Sequence, residues 1–199
     1  MAFSIHHGTG IYARPVPPCL DVYVWVSERS PEVFGQFIAG YVNVDDPGDE
    51  RFHAFERVYA LGIANGADNK ALDGLRLEED AFTLYLRARD HYQAIITVTR
   101  DGAAVLGLSV DAPDDLSETL RQAERLVEQL QRQFSAPAGL AGVELPPARD
   151  RAEWEDEDFV LLRTGELPAP DPGADNIRSV DLQAFARGPR SGPLINRQL

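Results

Sequence analysis

The chain has almost no thiol chemistry. Cys19 is its single cysteine, so an intramolecular disulfide is excluded, as is usual for proteins of a reducing compartment. Cys19 follows Pro17 and Pro18 and leads into an apolar run. We therefore expect a small buried hydrophobic side chain there, and not a nucleophile that would need a paired base.

Long apolar runs are also absent. No stretch approaches the roughly 18 apolar residues of a membrane span. Residues 1–10 contain two histidines but no continuous apolar segment of the kind that a secretory signal requires. From these absences we expect a cytoplasmic protein.

Basic charge is scarce relative to acidic charge. The chain has 19 Lys and Arg against 32 Asp and Glu, a formal net charge of −13. Binding to a nucleic-acid backbone or to an anionic membrane surface needs clustered basic side chains, so both are disfavoured. A partner protein with a basic surface fits this charge better than either.

Recognisable catalytic and metal-binding motifs are missing as well. The sequence has no Gly-x-Ser-x-Gly elbow and no phosphate-binding glycine loop. Residues 6–12 contain His-Gly-Thr and Gly-Ile-Tyr, fragments seen in ADP-ribosyltransferases and in one class of nucleases, but the companion motifs of both are absent. The four histidines are scattered, and the neighbours His6 and His7 would point to opposite sides of a strand. We predict no catalytic residue, no metal and no cofactor.

What is present is a clear β pattern. Residues 20–26 are β-branched or aromatic on both sides of a strand, which is typical of a central strand. Residues 81–88, 92–99 and 103–110 alternate in the manner of three consecutive antiparallel strands. Asp101 and Gly102 supply the tight turn between the last two.

A helix is predicted directly after these strands. Asp115 and Glu118 form an acidic version of a capping box. The apolar residues that follow repeat at helical spacing and stop before Pro137. They are Leu116, Leu120, Ala123, Val127, Leu130 and Phe134. This amphipathic helix of about 20 residues needs a sheet to cover.

The remaining segments complete the predicted organisation. Within 33–44 we expect a short helix and then a strand at 40–44. We further expect a helix over 50–61, a loop over 62–74 and short strands at 140–145 and 159–163. The order predicts an α+β fold, with a mainly antiparallel sheet and the long amphipathic helix packed on one face. Residues 1–167 form a single domain in this interpretation, and residues 168–199 a Pro/Gly-rich tail, partly disordered or draped over the domain.

Two acidic clusters are the candidate partner-binding residues. The first is Glu153, Trp154, Glu155, Asp156, Glu157 and Asp158, and the second is Asp45, Asp46, Asp49 and Glu50. One interpretation places Trp154 on the core and leaves the carboxylates solvated. In the other, Trp154 anchors an interface while the carboxylates steer a basic partner. The second cluster lacks the alternating ligand spacing of a calcium loop.

The combination of a small acidic α+β domain, a strand–Asp-Gly–strand–helix core at 92–136 and an acidic cluster around Trp154 resembles immunity proteins of bacterial polymorphic-toxin, contact-dependent and type VI secretion systems. The resemblance extends loosely over residues 20–165. It implies a non-enzymatic inhibitor that binds a cognate toxin with a basic surface and occludes its active site. Two alternatives stay open: a small-molecule enzyme, which would need a pocket with convergent polar groups, and a secretion chaperone or adaptor.

Overall fold

A six-stranded sheet is the frame of the structure, and each described pair of neighbouring strands is antiparallel. The computed structural model describes residues 18–63, 65–73 and 81–169. The strands are β1 (Cys19–Val26), β2 (Phe82–Arg87), β3 (Gln93–Val98), β4 (Ala104–Asp111), β5 (Ala138–Val143) and β6 (Leu162–Gly165). They lie in the order β2, β3, β4, β1, β5, β6. The predicted α+β class is confirmed, and β1 is central as expected.

The helices are α1 (Pro31–Tyr41), α2 (Phe52–Phe55), α3 (Gly66–Asp73), α4 (Leu116–Phe134) and α5 (Arg151–Glu155). A π-helical turn at Glu56–Ala60 continues α2. The described part of the chain up to Leu167 forms one compact unit. The predictions made for His6, His7 and residues 170–199 fall outside the described residues.

The long helix α4 forms where it was predicted, with Asp115 as its N-cap; the Glu118 carboxylate binds Arg121 and Arg125 and does not complete the predicted capping box. The Asp115 side chain accepts a hydrogen bond from the Glu118 backbone N–H at 2.9 Å, and Ser135 ends the helix in the left-handed conformation. The buried positions are Thr119, Ala123, Val127, Leu130 and Phe134.

The first two residues of the predicted apolar stripe lie outside this buried face. Leu116 is 61% exposed and Leu120 is only partly buried. Leu120 lies about 60° from the centre of the buried face, whereas Leu116 is the first residue of the helix. Thr119 takes the buried position, with its hydroxyl donating to the Pro113 and Asp115 carbonyls.

Two predictions of secondary structure were wrong. Residues 31–41 are helical throughout, because Ser30 caps the N-terminus and Phe34, Phe37, Ile38 and Tyr41 share one buried side despite the two glycines. The expected strand at 40–44 is reduced to one bridge, between Val42 and Ala88. The expected loop at 62–74 contains α3, since the Asn65 side chain accepts the Ala67 and Asp68 backbone N–H groups.

The sheet separates two apolar clusters. On one face, the aliphatic side chains of the sheet pack with α1, α2 and α4. On the other face a smaller cluster contains Tyr23, Trp25, Leu145 and Trp154. The described residues cover this second face only in part, and the candidate site lies on it.

Candidate functional site

Strand β1 presents different chemistry to the two faces of the sheet. Leu20, Val22 and Val24 belong to the helix-covered cluster, whereas Tyr23 and Trp25 belong to the cluster on the opposite face. Successive side chains of a strand alternate, so Cys19 and Asp21 share that opposite face. On the neighbouring strand β4, Asp111 lies opposite Cys19 and Ser109 lies opposite Asp21.

Residues 144–161, here called the covering segment, close the end of this face near Trp25. The indole of Trp154 packs edge-to-face on Trp25 with ring centroids 5.6 Å apart, and only 2% of its surface is exposed. The idea that Trp154 is an exposed interface anchor is therefore wrong, because the indole is part of the core.

Tyr23 joins the covering segment to the sheet. A Cβ at Gly107 would lie 2.3 Å from the Tyr23 ring, so the absence of a side chain there lets the ring lie across β4. The Tyr23 hydroxyl then donates to the Leu145 carbonyl at 2.7 Å. This contact fixes the start of the covering segment.

The end of the face that the described residues leave open forms a groove of about 550 Å³, here called the Asp21 groove. Its lining is Cys19, Asp21, Tyr23, Tyr85, Tyr92, Gln93, Ile95, Ser109, Glu144, Leu145 and Pro146. This set contains two carboxylates, three phenols and no basic side chain. The groove is therefore both acidic and aromatic.

Asp21 lies at the floor of the groove and is only 7% exposed. Its carboxylate accepts hydrogen bonds from the Ser109 hydroxyl and the Leu145 backbone N–H, and it has no cationic partner among the described residues. Burial raises the pKa of Asp21 above its usual range, against the opposing effect of the two hydrogen bonds. The site thus holds a desolvated carboxylate to which no described residue supplies a counter-charge.

Aromatic rings form part of the rim. Tyr85 is 48% exposed and Tyr92 is 56% exposed. Partial burial and the charge of Asp21 both raise the pKa of the Tyr85 phenol, so the hydroxyl stays protonated and remains a hydrogen-bond donor at neutral pH.

Cys19 is half-buried at the groove margin, which corrects the expectation of a buried residue. Burial and the nearby carboxylates of Glu144, Asp21 and Asp111 raise the pKa of its thiol. The thiolate is disfavoured, and the expectation that Cys19 is not an activated nucleophile agrees with this environment. Glu144 accepts the Cys19 backbone N–H at 2.7 Å and donates its own N–H to the Cys19 carbonyl at 2.9 Å.

A second groove of about 530 Å³ adjoins the first and shares Tyr85 and Pro146 with it. We call it the Glu157 groove. Its other lining residues are Thr83, Pro147, Ala148, Arg149, Glu153, Asp156 and Glu157. Arg149 is held by Glu153, with the shortest contact at 2.8 Å, which leaves Asp156 and Glu157 as the acids without a described ion pair.

The ten predicted partner-binding residues therefore divide into separate groups. Glu153, Asp156 and Glu157 line the Glu157 groove. Glu155 and Asp158 are exposed beside it, and Glu155 pairs with Arg151 at 2.7 Å. Trp154 is buried.

The acidic loop at 45–50 lines neither groove. Asp49 pairs with Arg51 at 2.6 Å, and Asp46 pairs with Arg87 at the end of β2. Asp45 and Glu50 are exposed. The connection of this loop to the Asp21 groove is indirect. Asp46 pairs with Arg87, and Arg87 lies opposite the groove residue Gln93 where β2 pairs with β3.

The principal groove residues, Asp21, Ser109, Tyr85 and Tyr92, were missed by sequence reasoning. One signal was available, because Asp21 interrupts an otherwise apolar strand. Its partner Ser109 lies 88 positions away in the sequence, so the pairing required the fold.

Within the described ranges, no three His, Cys, Asp or Glu side chains are grouped so as to hold a metal ion. The described helices include none with the length and apolarity to cross a membrane. No protein-family model matches the chain, and neither curated proteins nor solved structures give a significant match.

Proposed function

We propose that this chain is a non-enzymatic immunity protein that binds a cognate toxin domain with a basic surface and occludes its active site. The observation that carries the proposal is the uncovered part of the sheet face, where two adjoining grooves place carboxylates beside exposed tyrosines. The proposal rests on this surface together with the resemblance to immunity proteins described above.

Tyrosine and carboxylate side chains suit such an interface for separate reasons. Exposed phenol rings such as Tyr85 and Tyr92 give large, rigid contact areas at low entropic cost. Carboxylates such as Asp156 and Glu157 attract a positively charged surface and increase the rate of association. The net charge of −13 acts in the same direction over longer distances.

The local chemistry offers little support for hydrolysis by a nucleophile. Neither groove is lined by a histidine among the described residues. The Ser109 hydroxyl donates to Asp21, an arrangement that stabilises the carboxylate, and the Cys19 thiol has a raised pKa.

One observation favours the alternative of a small-molecule enzyme. A buried carboxylic acid with a raised pKa at the floor of a groove is a common form of general acid or base. Turnover of a substrate that is abolished by Asp21→Asn in a folded protein would establish this alternative and contradict the immunity proposal.

The proposal is tested with the product of the neighbouring gene, which we expect to contain a toxin domain. We expect the purified proteins to form a complex, and the toxin's activity to be lost in it. The double variant Asp156→Asn/Glu157→Gln should associate several-fold more slowly at low salt, with a weaker dependence on salt.

A matched control keeps the change of charge and moves it elsewhere. The double variant Asp114→Asn/Glu124→Gln also removes one Asp and one Glu charge. Asp114 lies just before α4 and Glu124 lies within it, and both are exposed. It should associate at nearly the parent rate. Equal association rates for both double variants would show that the grooves do not face the toxin, and failure of the parent protein to bind or inhibit the toxin would contradict the function itself.

A further inference from the structure

We propose that the Asp21 groove is a receptor site for one arginine side chain presented by the partner protein. The inference rests on the proposed function and adds the chemistry of the contact. Asp21 would accept the guanidinium, while Tyr85 and Tyr92 would contact its face and its methylene chain.

The charge of the groove is complementary to a cationic side chain. Asp21 is almost fully buried, and its two described hydrogen bonds come from neutral donors, the Ser109 hydroxyl and the Leu145 N–H. An ionised carboxylate has about four lone-pair positions, so acceptor capacity remains. A cation that enters the groove supplies the counter-charge that the described residues do not provide.

The exposure and the aromatic lining of the groove suit a long cationic side chain. Exposure falls from the half-exposed Tyr85 and Tyr92 to Asp21, which is only 7% exposed. A long side chain with an apolar stem and a charged end matches this gradient. A cation within about 6 Å of an aromatic face is further attracted by the ring.

Arginine fits better than lysine for a physical reason. The guanidinium is planar and more weakly hydrated than an ammonium group, so it loses less on entering a site that is largely closed to water. It can also donate two hydrogen bonds while its plane stacks on a phenol ring. We therefore expect the order arginine, then lysine, with a neutral isostere far weaker than both.

The test uses capped amino acids as probes, so it does not depend on knowing the partner. Isotope-labelled protein is titrated by NMR with Nα-acetyl-L-arginine amide and separately with Nα-acetyl-L-citrulline amide, its neutral isostere. We expect a dissociation constant of about 1 mM for the arginine probe. The citrulline probe should bind at least about tenfold more weakly. Perturbed amides should lie on the β1, β3 and β4 segments around Asp21 and at Glu144 and Leu145.

Two protein variants sharpen the result. Asp21→Asn should weaken the arginine probe about tenfold or more, and Tyr85→Ala should weaken it several-fold by removing an exposed ring. Asp114→Asn removes a carboxylate outside the groove and should bind as the parent does. Since Tyr85 is a rim residue, its variant keeps the inference testable if Asp21→Asn does not fold.

Several outcomes would overturn the inference. They are equal affinity for the arginine and citrulline probes, perturbations outside the groove, and no response at about 20 mM probe. Free L-arginine binding about tenfold more tightly than the capped form would also overturn it, because the groove would then recognise the free amino acid. A toxin complex that forms while the arginine probe fails would reject this contact and leave the proposed function intact. Probe binding by a protein that forms no toxin complex would support the arginine contact and contradict the proposed function.

Discussion

The two faces of strand β1 differ in how completely they are covered. Leu20, Val22 and Val24 are fully buried under the helices, where only apolar surface and shape matter. On the opposite face the side chains change along the strand, from Trp25 and Tyr23 under the covering segment to Asp21 and Cys19 in the groove. One face thus serves packing alone, and the other combines packing at one end with a polar groove at the other.

This difference shows why a buried polar pair persists in a small domain. Asp21 and Ser109 replace apolar contacts that a fully covered sheet face would contain, and the desolvated carboxylate is costly. Buried polar groups that lower stability are expected mainly where function requires them. The predictions that follow test whether the two faces divide stability and binding in this way.

The largest effect is expected on the covered end of the second face. Trp154→Ala should lower the free energy of unfolding by about 3–5 kcal/mol, because it removes a buried indole from contact with Trp25. Phe159 lies in the same covering segment but is 86% exposed, so Phe159→Ala should change stability by less than about 0.5 kcal/mol. Chemical denaturation measures both. A loss below about 1 kcal/mol for Trp154→Ala would show that the second cluster contributes little to the fold.

On the helix-covered face, Leu130→Ala in α4 should lose about 2–5 kcal/mol, since Leu130 is fully buried. Leu120→Ala should lose less, about 1 kcal/mol, because that side chain lies at the margin of the buried face. The exposed Arg125→Ala serves as the control, with a change below about 0.5 kcal/mol. Equal losses at Leu120 and Leu130 in urea unfolding would contradict the described rotation of the helix.

A smaller effect is expected where the covering segment is joined to the sheet. Gly107→Ala places a methyl group against the buried Tyr23 ring, and should destabilise the protein by about 1–3 kcal/mol through overpacking. Gly35→Ala meets no atom within 4 Å and lies inside α1, so it should stabilise by about 0.5–1 kcal/mol. Thermal unfolding of the two variants separates these directions. Stabilisation by Gly107→Ala would mean that Tyr23 is free to move from its position.

The smallest effect on stability is expected at Asp21. Because the pKa of the folded state is raised, Asp21 contributes stability that is present at acid pH and lost as the pH rises through the folded pKa. Asparagine does not titrate, and its amide can accept the Leu145 N–H while donating to Ser109.

Relative to the parent, Asp21→Asn should therefore gain stability from acid to neutral pH, by up to about 1 kcal/mol. Urea unfolding of both proteins across this range provides the measurement. A difference that does not vary with pH would show that Asp21 is not desolvated as described.

The local signals in the sequence were sufficient for the elements with strong periodicity or clear caps. The alternation of β2 to β4, with Gly102 at positive φ in the turn, and the caps of α4 are encoded within short segments. Helix α1 was partly missed, because Gly35 and Gly40 interrupt a pattern that tertiary burial of Phe34 and Phe37 nonetheless stabilises. Helix propensity is a weak signal, and packing can override it.

The sequence by itself determined the α+β class, the central position of β1, the helix that follows strands β2 to β4 and the excess of acidic charge. The positions of the candidate site's side chains were decided only by the tertiary structure. Residues 153–158 look from the sequence like one exposed cluster, but the fold buries Trp154 against Trp25 and turns Asp156 and Glu157 toward a groove. Asp21 meets Ser109 and Leu145 because β1 pairs with β4 and β5. Such contacts join residues far apart in the sequence, and local patterns do not specify which strands become neighbours or where a covering segment stops.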